Sequence, residues 1–247
     1  MNEEQGLKNV IAYIETHLKE PLSAEEIAAA CYYSRSNTKA LFQKVFQYGM
    51  MEYVARRKLT QAAEELLFNK KLPSVLDYSK SSFVVDENTS DGEMMMTAMG
   101  QGNTLVSPYH MALITQAIAN GGTLMEPYLV DKVTNYKGTE IRKNVPKSYK
   151  KLMTSEEALQ LKDYMRAVVD EGTATMLSGQ SYSVAGKTGT AEYSMTDGEK
   201  THSWFVGFTN VDNPELVISV IIEGYDGNAG AKAVPIAKQV LDSYYYQ

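Results

Sequence analysis

Apolar residues at Val10, Ile11, Ile14 and Leu18 recur at helical spacing and predict an amphipathic helix over 7–19 that stops before Pro21. Ser23 followed three residues later by Glu26 has the form of a capping box and starts a short helix through Ile27 to Cys31. Tyr32-Tyr33 then reads as a turn, and Ser34 or Ser36 caps a third helix. Its apolar stripe is Leu41, Phe42, Val45 and Phe46, and its polar face is Arg35, Asn37, Lys39, Gln43 and Lys44. A long helix over 52–68 follows, with Val54, Leu59, Ala62, Ala63, Leu66 and Leu67 on one side and Arg56-Arg57-Lys58 exposed. The N-terminal pattern is helix, helix, tight turn, helix, long helix.

The pattern changes after about residue 73. Ser107 with Pro108 caps a helix whose Met111, Ile114, Ala117 and Ile118 share one side. A second helix is expected over 155–169, capped by Ser155 and carrying Leu159, Leu161, Met165 and Val168-Val169. Three strands follow at 182–191, 203–209 and 215–222, and a closing helix at 230–244 presents Ala233, Ile236, Ala237, Val240 and Leu241 to the sheet. Met94-Met95-Met96 reads as buried helix packing, and Tyr244-Tyr245-Tyr246 as an anchor for the last helix with a part left for a dimer patch. The expected fold class is α+β: an N-terminal helical helix-turn-helix segment at 1–72, then residues 73–247 with a three-stranded antiparallel sheet packed by helices.

With 44% apolar and 22% charged residues, the chain is an ordinary globular protein. Residues 1–72 hold ten Lys/Arg against nine Asp/Glu, and the remainder fourteen against twenty-one. The basic residues Arg35, Lys39, Lys44, Arg56, Arg57 and Lys58 cluster in the first part, which suits a nucleic-acid-facing N-terminus. The single cysteine, Cys31, sits in an apolar run and reads as core. The three histidines, His17, His110 and His202, lack ligand spacing, so neither metal nor cofactor is expected. The start is polar and acidic and no run of about 18 apolar residues occurs, from which a cytoplasmic location is expected.

The stretch Pro21-Leu22-Ser23-Ala24-Glu25-Glu26-Ile27-Ala28, then Ser34-Arg35-Ser36, Leu41-Phe42 and Tyr53-Val54-Ala55-Arg56-Arg57-Lys58-Leu59 resembles the arabinose-regulator (AraC-type) DNA-binding domain over 7–72. Only the first of that family's two helix-turn-helix units and its linker helix are present. The resemblance implies that Arg35, Asn37 and Lys39 read the major groove of DNA and that Arg56 and Arg57 contact phosphate. The chain departs from the family at Tyr32-Tyr33, where a glycine free to take positive φ is usual.

Gly100-Gln101-Gly102, Ser107-Pro108, Met111-Ala112, Ala119-Asn120-Gly121-Gly122, Pro127, Glu171-Gly172-Thr173-Ala174 and Ala185-Gly186-Lys187-Thr188-Gly189-Thr190-Ala191-Glu192 form one ordered series. It is similar to the C-terminal half of the class B penicillin-binding transpeptidase domain, over roughly 73–245. The resemblance implies that the Lys-Thr-Gly strand lines a cleft. Lys187 would place positive charge near a substrate carboxylate, Thr188 donate a hydrogen bond, Gly189 let substrate approach, and the Thr190 amide serve an oxyanion hole. Such enzymes also need a Ser-x-x-Lys and a Ser-x-Asn. No Ser-x-Asn occurs, and the Ser-x-x-Lys at Ser36-Asn37-Thr38-Lys39 falls within the DNA-binding resemblance. His202, beside Trp204, reads as a strand residue near the cleft rim and not as a base.

The leading expectation is therefore a non-enzyme: a DNA-binding regulator-like fusion with a catalytically incomplete transpeptidase-like domain, binding carboxylate or β-lactam-like ligands weakly and reversibly. It is expected to form a homodimer, because two of five sheet strands are missing and an open edge needs cover. The alternative is a fragment of a penicillin-binding D,D-transpeptidase whose catalytic serine half is missing or supplied by another chain. A third reading is an accidental joining of two gene fragments. Labelling with penicillin separates the alternative from the others.

Overall fold

The computed structural model describes residues 3–86, 88–195, 198–227 and 229–246. The chain forms two compact units, one of residues 1–68 with 82–104, the other of 69–81 with 105–247. Residues 82–104, on the C-terminal side of the boundary at 72/73 expected from the sequence, thus pack with the first helices. Among the described residues no helix is long and apolar enough to cross a membrane.

The first unit contains α1 (Glu3–Thr16), α2 (Ala24–Ala30), α3 (Arg35–Phe46), α4 (Met50–Glu65) and α5 (Asp91–Ala98). The Ser23 and Glu26 capping box forms as expected. Ser34, and not Ser36, caps α3, its Oγ accepting the Asn37 amide. Tyr32 takes φ 60° in the turn and is 94% exposed, the left-handed backbone for which glycine is usual. Val10, Ile14, Leu18, Ile27, Cys31, Phe42, Met50 and Val54 form the core. Burial raises the pKa of the Cys31 thiol.

Helix α5 corrects one expectation. Ser90 and Glu93 cap it, but Met95 is 66% exposed and Met96 is also exposed. Successive helical residues are about 100° apart, so three adjacent methionines on a short helix cannot share one buried face.

Glu15 on α1 ties the first unit together. Its carboxylate accepts bonds from Arg57 at 2.6 and 2.8 Å and from the Tyr53 hydroxyl at 3.0 Å. Arg57 holds the Glu15 carboxyl below its ordinary value of 4.5. Burial and the bond to Glu15 push Tyr53 up to about 12 from 10.0. A carboxyl lowered by folding stabilises above its unfolded value and loses that contribution as pH falls. A tyrosine raised by folding stabilises below pH 10 and loses that contribution as pH rises towards 12. The unfolding free energy from urea titration is therefore expected to fall on both flanks, by about 1 kcal/mol on the acid side for a pair a third exposed. Glu15→Gln should flatten the acid flank.

The second unit contains α6 (Pro108–Ala119), β1 (Thr123–Met125), β2 (Lys132–Thr134), β3 (Glu140–Lys143), β4 (Ser148–Lys151), α7 (Ser155–Asp170), β5 (Val184–Met195), β6 (Gly198–Thr209), β7 (Val217–Asp226) and α8 (Ala233–Tyr245). Ser107 caps α6 with Pro108 in its first turn. The cap of α7 is Thr154 rather than Ser155: the Thr154 side chain and Glu157 form the capping box, while Ser155 donates to the Gly121 carbonyl. β1 pairs with β4, and β2 with β3, as two small antiparallel ribbons.

The expected three-stranded antiparallel sheet is present, in the order β5-β6-β7. Phe205, Val184, Val169, Leu177, Ala233, Ala237 and Leu241 join in its core with α8. A Cβ at Gly186 would overlap the Phe205 ring, so a side chain there is excluded by packing. Tyr182 stacks on Tyr245 with ring centroids 4.4 Å apart and donates to Asp242 at 2.6 Å. Tyr245 thus anchors the end of α8 as expected, while Tyr244 and Tyr246 are exposed.

Candidate active site

The Lys187-Thr188-Gly189 segment lies on β5, an edge strand that pairs only with β6 among the described residues. Side chains alternate across a strand, so Lys187 and Gly189 lie on one face of the sheet with Trp204, and Thr188 and Thr190 on the other with Phe205. Lys187 is exposed, and its Nζ donates to the Thr188 carbonyl at 2.8 Å. That carbonyl marks the open side of β5. By the two-residue period, the Thr190 amide points the same way, as an oxyanion donor would. Gly189 brings the strand backbone close to Trp204, where a Cβ would sit 3.4 Å from the Trp204 Cβ.

Thr188 has a partner that the sequence reading did not supply: the Thr173 hydroxyl, 2.6 Å from its own. Thr173 belongs to the Glu171-Gly172-Thr173-Ala174 segment of the motif series, a place visible in the sequence, whereas its contact with Thr188 is visible only in the fold. Beside it opens a pocket of about 680 Å³ lined by Thr173, Thr175, Met176, Lys232, Val234 and Pro235, among others. On the same face as Thr188, Thr190 Oγ1 and Ser203 Oγ both donate to the Gly230 carbonyl, at 3.4 and 2.7 Å. His202 lies within β6 and accepts the Gly224 amide at 3.1 Å on Nδ1, which fits a strand role. Among the described residues no group of three or more His, Cys, Asp or Glu forms a metal site.

The residues assigned to DNA fall into two groups. Arg35, Asn37 and Lys39 are exposed on α3 as expected, and Arg35 pairs with Glu25. Arg56 and Arg57 are not free for phosphate. Arg56 is 6% exposed and bonds to Glu52 and the Asp86 carbonyl, and Arg57 grips Glu15. A helical arginine four residues after a glutamate is readily captured by it.

Ser36 and Lys39 occupy the first turn and a half of α3, and both side chains are exposed. A second Ser-x-x-Lys, Ser148-Tyr149-Lys150-Lys151, escaped the sequence reading. It lies on β4, where residues three apart point to opposite faces and the lysine cannot serve the serine.

An edge strand bearing Lys-Thr-Gly, backed by an antiparallel sheet with helices, is the arrangement that the resemblance to a transpeptidase domain implies. The chain belongs to the penicillin binding protein transpeptidase domain family, whose sequence model matches residues 35–242. Stage V sporulation protein D of Bacillus subtilis is 30% identical over 202 residues, 77% of this chain and 30% of that protein. Peptidoglycan D,D-transpeptidase MrdA of Acinetobacter baumannii is 29% identical over 163 residues, 61% of this chain and 24% of that one. Among solved structures, the D,D-transpeptidase domain of a peptidoglycan glycosyltransferase from Eggerthella lenta superposes with a TM-score of 0.65 at 30% identity, over 78% of this chain and 49% of that one. The penicillin G acyl-enzyme complex of penicillin-binding protein A from M. tuberculosis gives 0.63 at 26%, over 78% and 45%. The chain spans under a third of the length of these two curated relatives.

These findings overturn two expectations. The family match starts at residue 35 and so takes in α3 and α4, the helices read from the sequence as recognition and linker helices of a DNA-binding domain. The regulator and DNA-binding reading falls with that match and with the sequestration of Arg56 and Arg57. The expectation of a non-enzyme falls as well, because the family is that of a transpeptidase domain and the relative MrdA is named as a D,D-transpeptidase.

Proposed function

We propose that this chain is part of a peptidoglycan D,D-transpeptidase and carries the substrate-binding side of its acyl-transfer centre. The observation that carries the reading is Lys187. Within the matched region, it stands exposed on a strand edge, where its ammonium donates to a carbonyl of its own strand. A ligand carboxylate is a stronger acceptor than that carbonyl and would replace it with a charge-assisted bond. Thr188 would add a hydroxyl from the other face, and the Thr190 amide would face a reacting carbonyl at the same edge. The nucleophile belongs to a Ser-x-x-Lys helix outside 105–247, either Ser36 with Lys39 or one on a second chain.

Intact-protein mass and equilibrium binding with excess benzylpenicillin test this. A stoichiometric adduct on the chain that Ser36→Ala removes would support the reading with the serine in cis. Lys187-dependent reversible binding without an adduct would support it with the serine on another chain. No binding, or binding indifferent to Lys187, would overturn it.

A further inference from the structure

The link between Thr173 and Thr188 connects two separate parts of the second unit, and the chain around Thr173 is built to hold it. Helix α7 ends at Asp170, and the Glu171 amide closes onto the Ala167 carbonyl. Gly172 then passes so close to the helix that a Cβ would sit 2.8 Å from both Val168 Cα and Val168 O, a separation only glycine avoids. Ala174 donates its amide back to the Val168 carbonyl at 3.0 Å and is fully buried. Thr173 is thus fastened on both sides, with its Oγ1 2.6 Å from Thr188 Oγ1.

Two facing hydroxyls share one hydrogen bond, so one donates and the other accepts. If Thr188 donates to Thr173, its proton is turned away from the strand edge. If Thr173 donates, the Thr188 proton is released towards a ligand. An anion beside Lys187 favours the second arrangement, because both dipoles then point at the charge and reinforce one another. Resting on the transpeptidase reading of this site, we infer that Thr173 is a positioning residue that donates a hydrogen bond to the Thr188 oxygen and thereby aims the Thr188 hydroxyl at the substrate carboxylate. It acts through Thr188 and touches no reacting atom.

The test uses the full chain, with benzylpenicillin and its neutral methyl ester as probes. Thr173→Val keeps the side-chain volume and removes the hydroxyl; Thr173→Ser keeps the hydroxyl. The valine variant is expected to weaken the carboxylate probe about tenfold, the upper range for one lost hydrogen bond, while ester binding and the melting midpoint stay as in the parent. Serine is expected to restore the parent affinity. Equal losses for both probes, parent-like affinity in the valine variant, or failure of serine to rescue would each overturn the inference. If the parent itself binds neither probe, the transpeptidase reading fails first and Thr173 has nothing to position.

Discussion

Replacing Lys187 with alanine is expected to weaken benzylpenicillin binding by about 10- to 100-fold while leaving the melting midpoint unchanged. A hydrogen bond to a charged partner is worth about 1.5–3 kcal/mol, and each 1.4 kcal/mol is a factor of ten. Stability should be untouched because the ammonium is exposed and, among the described residues, bonds to the neighbouring Thr188 carbonyl alone. The lost affinity should also shrink as salt rises, since an exposed cation attracting an anion is screened at a Debye length of about 8 Å in physiological salt. Calorimetric titration of parent and variant at two salt concentrations checks both statements. Parent-like affinity in Lys187→Ala would remove the strand edge from the binding site.

Much of the second unit was legible in the sequence because its signals are local. Ser107 followed by Pro108 started α6 as expected, and the strands expected at 182–191, 203–209 and 215–222 fall within or across β5, β6 and β7, although β6 begins earlier, at Gly198. The ribbons β1 with β4 and β2 with β3 were not seen. Strand β2 is Lys132-Val133-Thr134 and entirely exposed, so no alternation of apolar and polar residues marks it. Within the site, Lys187 and Thr190 were readable from motif order, but Thr173 and Thr188 meet only through the tight exit from α7 at Gly172. The arginines failed for a related reason. Position on a helix tells which way a long side chain starts, not which carboxylate captures its end. Glu52 lies one turn before Arg56, whereas Glu15 reaches Arg57 from another helix 42 residues earlier.

Replacing Arg56 with alanine is expected to destabilise the first unit by about 3 kcal/mol, the cost of leaving one member of a buried ion pair without its partner. The guanidinium bonds to Glu52 through Nε at 3.0 Å and Nη2 at 2.6 Å, and to the Asp86 carbonyl through Nη1 at 2.8 Å. It also lies 4.7 Å over the centre of the Tyr48 ring. Removing it strands the half-buried Glu52 carboxylate and the Asp86 carbonyl together. If the cost comes from the stranded carboxylate, removing both partners should recover much of it, because replacing a buried pair by apolar groups is often close to neutral. Glu52→Leu with Arg56→Met is therefore expected to be more stable than Arg56→Ala alone. Urea unfolding of the two variants, with hydrogen exchange read at the α4 amides, measures the difference. An Arg56→Ala midpoint equal to the parent's would show that the guanidinium is not a structural tie, and would reopen the question of what this arginine is for.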